Sequence, residues 1–199
     1  MSRIIFAVPP AALPRRAALT GFDDAGQLRT LETPPGGHAL AERPAGMTFE
    51  SGGQGLWSTA NDYATFARML AGGGAVDQVR LLRRETCALM TTNQLTAGQR
   101  AAARMFGQPL FTEGHGYGMG VAVVMEPDRA DVLRCRGGVG TVGWPGAYGS
   151  WWQMDPNDGS VLVFLTHNMV ELQQLARGIG FGAWRAITAF HAHASSVAG

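Results

Sequence analysis

Residues 147–167 read AYGSWWQMDPNDGSVLVFLTH, two β-favouring runs joined by the short connection PNDG. A link this short makes the two strands antiparallel neighbours, because a parallel pair needs a crossover of about a dozen residues or more. Asn157, Asp158 and Gly159 are the residue types that supply the positive φ angles of a hairpin turn. Within the second run, VLVFLT is apolar without alternation, which predicts a strand covered on both faces and central in its sheet. Upstream, GYGMGVAVVME and DVLRCRG have similar chemistry and are predicted to add strands to the same antiparallel sheet.

Helices flank this sheet in the sequence. Ser58 or Thr59 is placed to cap a helix whose Tyr63, Phe66, Ala67 and Leu70 share one face, and Gly72 to Gly74 end it. A second helix is expected from about Arg84 to Thr91, offering Cys87, Leu89 and Met90 to the core. From Met169 to His191 an apolar stripe predicts a helix over one sheet face, weakened by Gly178, Gly180 and Gly182. Residues 1–53 are rich in Pro and Gly, without a useful period, and read as a loop-rich segment. Within it Ala17–Phe22 and Gln27–Glu32 flank DDAG, a short hairpin with its turn at Asp24 to Gly26. The expected organisation is therefore this segment followed by a helix-and-sheet unit over residues 54–199, an α+β fold.

The chain has 199 residues, 46% of them hydrophobic, and a formal net charge of +1. That near-neutral balance gives no electrostatic case for nucleic acid or an anionic membrane as partner. The five-residue apolar run near the start is too short for a signal sequence, so the expected location is cytoplasmic. Cys87 and Cys135 lack metal-ligand spacing and read as buried thiols, their pairing left open. His191 and His193 form a His-x-His without further ligands nearby, so no metal is assigned, nor any cofactor. Asp62 and Asp155 are explained by a helix first turn and a hairpin.

No nucleophile elbow, phosphate loop, dinucleotide fingerprint or zinc-protease motif occurs. What stands out is GTVGWPGAYGSWW at residues 140–152, uncharged and crowded with glycines and aromatics. Its composition suits a packed core turn and a cleft wall equally. Glycines on a strand mark close approach of a backbone or a ligand, and Pro145, lacking an N–H, belongs on an edge strand. His115, set between glycines in EGHGYGMG, is a further cleft candidate beside a structural role; His167 at the end of the apolar run is another.

The order of SGGQGLWSTANDYATFARMLAGGG, VRLLRRETCALMTTNQL, GYGMGVAVV and VGWPGAYGSWWQMDPNDGSVLVFLTHN resembles the C-terminal half of the serine β-lactamase, penicillin-binding-protein and family VIII esterase superfamily, over most of residues 15–190. The resemblance is especially to the class C β-lactamase-like and family VIII esterase branch. The resemblance implies an incomplete β-lactamase/transpeptidase-like fold and, in the complete protein, hydrolysis of a small ester or amide through an acyl-serine. In that family Ser-x-x-Lys supplies nucleophile and base, Tyr-x-Asn assists proton transfer, and Lys-Thr-Gly or an equivalent lines the site. Trp144-Pro145-Gly146 stands at the third motif, and its departure from Lys-Thr-Gly favours an ester over a β-lactam. The backbone N–H of Ala147 would be one of two oxyanion donors, with Trp144, Pro145, Gly146, Tyr148 and His115 lining the substrate.

The other two motifs have no counterpart here. The sixteen basic residues are all Arg, and Tyr63, Tyr117 and Tyr148 are followed two positions on by Thr65, Met119 and Ser150. The chain therefore reads as part of a longer hydrolase and is expected to be inactive alone. The alternative is a non-catalytic binding or assembly module on the same fold. In the resembling proteins N-terminal strands pair with the last strand. Without them Val161 to Thr166 is expected to be an apolar edge that is open to self-association, is covered by residues 17–32, or leaves the chain poorly soluble.

Overall fold

The computed structural model describes residues 5–32, 47–53, 55–105, 107–111 and 114–197. The loop read at TPPGGHALAERPAG lies outside the described residues. In chain order the elements are β1 (Thr20–Phe22), β2 (Leu28–Thr30), α1 (Ala60–Ala71), β3 (Ala75–Val76), β4 (Val79–Arg80), α2 (Arg84–Thr91) and α3 (Ala97–Ala102). They continue with β5 (Arg104–Met105), β6 (Gln108–Pro109), β7 (His115–Tyr117), β8 (Ala122–Val124), β9 (Val142–Pro145), β10 (Trp151–Met154), β11 (Val161–Phe164), α4 (Leu172–Ala176) and α5 (Gly182–Val197). Strands β7 to β11 form a five-stranded sheet in the order β11-β10-β9-β8-β7, antiparallel throughout. The fold is mixed α+β.

Helix α1 begins at Thr59, whose Oγ1 accepts from the Asp62 N–H at 3.2 Å. Its Ala67, Met69 and Leu70 are buried in one core with Val121 and Val123 of the β8 region, Val142 of β9, and Trp152 and Met154 of β10. Trp152 meets Tyr63 and Phe66 edge-on, with ring centroids 5.7 and 5.9 Å away. The opposite face packs α5, where Phe190 lies 5.6 Å from Phe164, His191 lies 6.0 Å from Trp151, and Ile187 is buried. Cys87 and Cys135 are both buried free thiols. Burial pushes the Cys135 thiol up to about 12, so it stays protonated.

The hairpin turn at PNDG forms, but only Gly159 in it has positive φ, at +74°. Asp155 organises the rest. Its carboxylate accepts from the Asn157 N–H at 2.8 Å and from the Gly138 N–H at 2.7 Å, so it also ties down the loop before β9. The hairpin read at residues 17–32 forms as β1 and β2, with Thr20 opposite Thr30.

Several expectations are corrected by the tertiary arrangement. VLVFLT is covered on both faces, by α1 and α5, yet β11 is the edge of the sheet and not its centre. Apolarity on both faces records burial above and below a strand, not pairing at its sides. DVLRCRG forms turns instead of a strand, and Gln153 clamps it: the Gln153 amide accepts from the Arg136 N–H and donates to the Arg136 carbonyl, both at 2.9 Å. Leu89 is exposed, because α2 turns Cys87 to the core. The helix expected over 169–191 is split into α4 and α5, with Gly178 and Gly180 at φ +80° and +86° between them. His191 is held by the Arg136 carbonyl, 2.9 Å from its Nε2.

Candidate active site

Strand β9 carries Trp144 and Pro145 into the middle of the sheet, which contradicts the expectation of an edge strand. The register explains how proline is tolerated there. Strand β8 pairs only with Val142 and Gly143, so Trp144 and Pro145 overhang it and pair with β10 alone. Gly146 donates its N–H to the Ser150 carbonyl at 2.6 Å, so alternation puts the Pro145 nitrogen on the side away from β10. Strand β8 does not reach that far, and no bond is lost.

The chain reverses at Gly146–Gly149, where the Gly149 N–H donates to the Gly146 carbonyl at 3.1 Å. Gly149 has φ +80°, and a side chain there would meet Thr166 Oγ1 at 2.6 Å, so both conformation and space require glycine. The turn is fastened to the end of β11. Thr166 Oγ1 donates to the Tyr148 carbonyl at 2.8 Å, the Asn168 N–H donates to the same oxygen at 3.0 Å, and Ser150 Oγ donates to the Thr166 carbonyl at 2.7 Å. Ala147 occupies the second position of the turn, where the turn's own bond does not use the N–H. Ala147 and Gly146 are exposed, and among the described residues the Ala147 N–H has no protein acceptor. This is a rigid backbone donor facing solvent.

Two aromatic groups flank it. Trp144, half-buried, lies 5.3 Å from the Tyr117 ring and 5.5 Å from the Arg134 guanidinium. On the other side Tyr148 meets His167 edge-on at 5.5 Å, His167 meets Trp57 at 5.7 Å, and Arg16 sits 5.0 Å over Trp57. Arg16 and Trp57 were not legible in the sequence as neighbours of His167 and Tyr148, because only the tertiary fold brings segments this far apart in sequence to one place. Burial raises the Tyr148 hydroxyl pKa, assisted by the negative charge of Glu171. A hollow of about 570 Å³ borders Arg16, Leu19, Thr30 and Leu31, and another of about 430 Å³ lies between Leu133 and Trp184. Neither is lined by residues 144–148.

His115 does not join this wall. It is wholly buried in β7 with Nε2 2.9 Å from the Cys135 carbonyl; a carbonyl only accepts, so Nε2 carries the proton. Burial holds His115 and His167 below the usual imidazole range. The unfolded chain then binds more protons than the folded one at mildly acid pH, so stability falls as pH drops below about 6.5. Asp155 behaves differently. Burial raises its carboxyl, but bonds from Asn157, Gly138 and Thr141 outweigh this and hold it below the usual range. Its contribution is present above the unfolded value of about 3.9 and is lost as pH falls through the folded value. Urea midpoints are therefore expected to be level near pH 8, to decline below about 6.5 and to decline again below about 4. His115→Gln should remove part of the first decline; an unchanged slope between pH 7 and 5 in that variant contradicts the assignment.

A model of the Beta-lactamase family matches residues 1–180. The chain belongs to the beta-lactamase family. Two curated proteins of Mycobacterium tuberculosis, "Uncharacterized protein MT1414" of strain CDC 1551 / Oshkosh and "Protein Rv1367c" of strain ATCC 25618 / H37Rv, are each 45% identical to it over 125 residues. That match takes in 63% of this chain and 31% of theirs, so the chain spans less than a third of the length of these relatives. Among solved structures, a LovD6 mutant of simvastatin synthase from Aspergillus terreus covers 96% of the chain at TM-score 0.67 and 20% identity, with 45% of its own length matched. EstCE1, described as a hydrolase with promiscuous acyltransferase activity, covers 76% at TM-score 0.53 and 23% identity, with 38% of its length matched. At these identities the likeness is one of fold: the sheet and helices of this chain match part of a beta-lactamase-type domain.

Proposed function

We propose that the Gly146–Gly149 turn is one wall of an acyl-transfer site whose serine nucleophile lies in sequence beyond these 199 residues, the complete protein hydrolysing a small ester or amide. The observation that carries this reading is the exposed N–H of Ala147, without a protein acceptor among the described residues, on a turn fixed at both ends. In the reaction a serine Oγ attacks the substrate carbonyl, and the oxygen that gains charge is held by this N–H and a second donor. The alcohol or amine departs with a proton, and water then cleaves the acyl-serine. Trp144, Pro145, Gly146 and Tyr148 line the substrate, with Gly146 leaving room for close approach. The total absence of Lys supports a site assembled from more than this chain, since the family's Ser-x-x-Lys cannot be drawn from it. Two similarly folded proteins, a simvastatin synthase and a hydrolase with promiscuous acyltransferase activity, are compatible with acyl chemistry.

The test uses a protein extended upstream to carry Ser-x-x-Lys and Tyr-x-Asn. There Ala147→Pro deletes the N–H at a turn position that accepts proline, and kcat is expected to fall by about 10²–10³ with KM little changed. An unaltered kcat contradicts the oxyanion role, and an upstream frame without the two motifs contradicts the serine-hydrolase reading itself.

A further inference from the structure

The loop before β9 brings a cationic group to the Trp144 wall. Residues Asp131–Cys135 close as a turn: the Arg134 and Cys135 N–H groups donate to the Asp131 carbonyl at 3.1 and 3.2 Å, and the Asp131 carboxylate accepts from the Leu133 N–H at 2.8 Å. Cys135 is wholly buried, and its carbonyl accepts from His115 Nε2. The backbone that carries Arg134 is thus fixed from both sides. Its side chain is fixed as well, since Nε donates to the Leu110 carbonyl at 3.0 Å and Cζ lies 5.5 Å from the centre of the Trp144 ring.

Holding the guanidinium in this way uses only Nε. Among the described residues neither Nη group donates a hydrogen bond, and no carboxylate forms an ion pair with Arg134. Yet Arg134 is half-buried. Burial pulls its pKa down while Asp131 pushes it up, and the group stays cationic at any working pH. Taking a charge out of water is costly unless an opposite charge meets it. Two Nη groups in one plane, held beside an apolar ring, match a carboxylate in charge and in shape.

We infer that Arg134 selects substrates that carry a carboxylate, its Nη groups taking the anion while the Trp144 ring covers the carbon chain behind it. Three residues separate Trp144 from Ala147, so their Cα atoms are at most about 11 Å apart. A substrate whose carbonyl oxygen is held by the Ala147 N–H therefore needs only a short chain to bring a second, anionic end to the guanidinium. The selection rests on the acyl-transfer reading of the Gly146–Gly149 turn; the contact between Arg134 and a carboxylate does not.

The test uses the protein extended upstream to carry Ser-x-x-Lys and Tyr-x-Asn, and esters matched in size. The p-nitrophenyl half-ester of adipate is set against its methyl ester, which places the charge on the acyl part. The butyrate ester of 4-hydroxyphenylacetate is set against that of 4-hydroxyphenylacetamide, which places it on the departing part. In one of the pairs kcat/KM is expected to be about ten- to a hundredfold higher for the anion, the worth of a charge-assisted hydrogen bond. Arg134→Gln keeps an N–H for the Leu110 carbonyl and should bring that ratio to about one, chiefly through KM; Arg134→Glu should invert it. Equal rates within both pairs, or a preference that survives both substitutions, overturn the inference and leave the acyl-transfer reading in place. If the extended protein cleaves none of the esters, that reading fails, and adipate binding to the 199-residue chain decides the inference. An NMR shift of the Trp144 indole N–H with millimolar adipate, absent with adipamide and lost in Arg134→Gln, upholds it; no shift overturns it.

Discussion

Purified alone, the 199-residue chain is expected to hydrolyse p-nitrophenyl butyrate no faster than buffer and to give no burst of p-nitrophenolate. An acyl-enzyme needs a hydroxyl next to a base able to take its proton, and this family draws both from Ser-x-x-Lys, which a chain without lysine cannot contain. Ser150, beside the turn, does not replace it: its Oγ donates to the Thr166 carbonyl and accepts from the Thr166 N–H, so it is committed to holding the turn. Removing a nucleophile from a serine hydrolase costs about six orders of magnitude in kcat, the backbone donors alone leaving a small residue of catalysis. Extending the protein upstream to include Ser-x-x-Lys and Tyr-x-Asn should restore turnover, and the burst should vanish when that serine becomes alanine. A burst from the short chain, abolished by changing one of its own serines, contradicts the assignment. Inactivity of an extended protein that carries both motifs would favour a binding module on this fold.

Trp152→Ala is expected to be the most damaging single change to the folded chain. Trp152 is 6% exposed and sits where α1 meets β10, edge-on to both Tyr63 and Phe66. Truncating a buried tryptophan costs about 3–5 kcal/mol, the lost transfer energy adding to a cavity that the neighbours only partly fill. For a chain of this size each kcal/mol lowers Tm by about 2–4 °C. Trp144→Ala is the informative control, since Trp144 is only half-buried and stands against Tyr117 and Arg134. Its loss should cost clearly less, of the order of 1 kcal/mol for a partly exposed cation–π and ring contact. Thermal and urea unfolding of the two variants side by side test the distinction. Equal losses would mean that Trp144 belongs to the core and not to a cleft wall.

These two tryptophans come from one uncharged string, GTVGWPGAYGSWW, which from composition alone suits a core turn and a cleft wall equally. It is both. Trp151 and Trp152 are core, Gly146 and Ala147 are exposed, and Trp144 and Tyr148 stand between. The pairing of Trp144 with Trp152 in adjacent strands carries the chain from one environment to the other within a single hairpin.

What the sequence alone determined is everything set by near neighbours along the chain. A cap at Ser58 or Thr59, the glycine stop of α1 and the PNDG connection follow from bonds and sterics within a few residues. The ordered motifs that resemble the family belong here too, as does the missing lysine. What only the tertiary structure decided is which elements lie side by side. An apolar strand covered on both faces is the same string at the centre of a sheet or at its edge, so β11 had to be seen beside β10, with no strand among the described residues on the outer side of Val161–Leu165. Pro145 is tolerated inside the sheet because β8 stops two residues short of it, and His115 is buried because the loop around Cys135 folds over β7. Arg16, Trp57, His167 and Tyr148 meet at one end of the sheet for the same reason. Hydrophobic periodicity reports how deeply a residue is buried; the identity of its neighbours depends on contacts between distant segments, which no local pattern encodes.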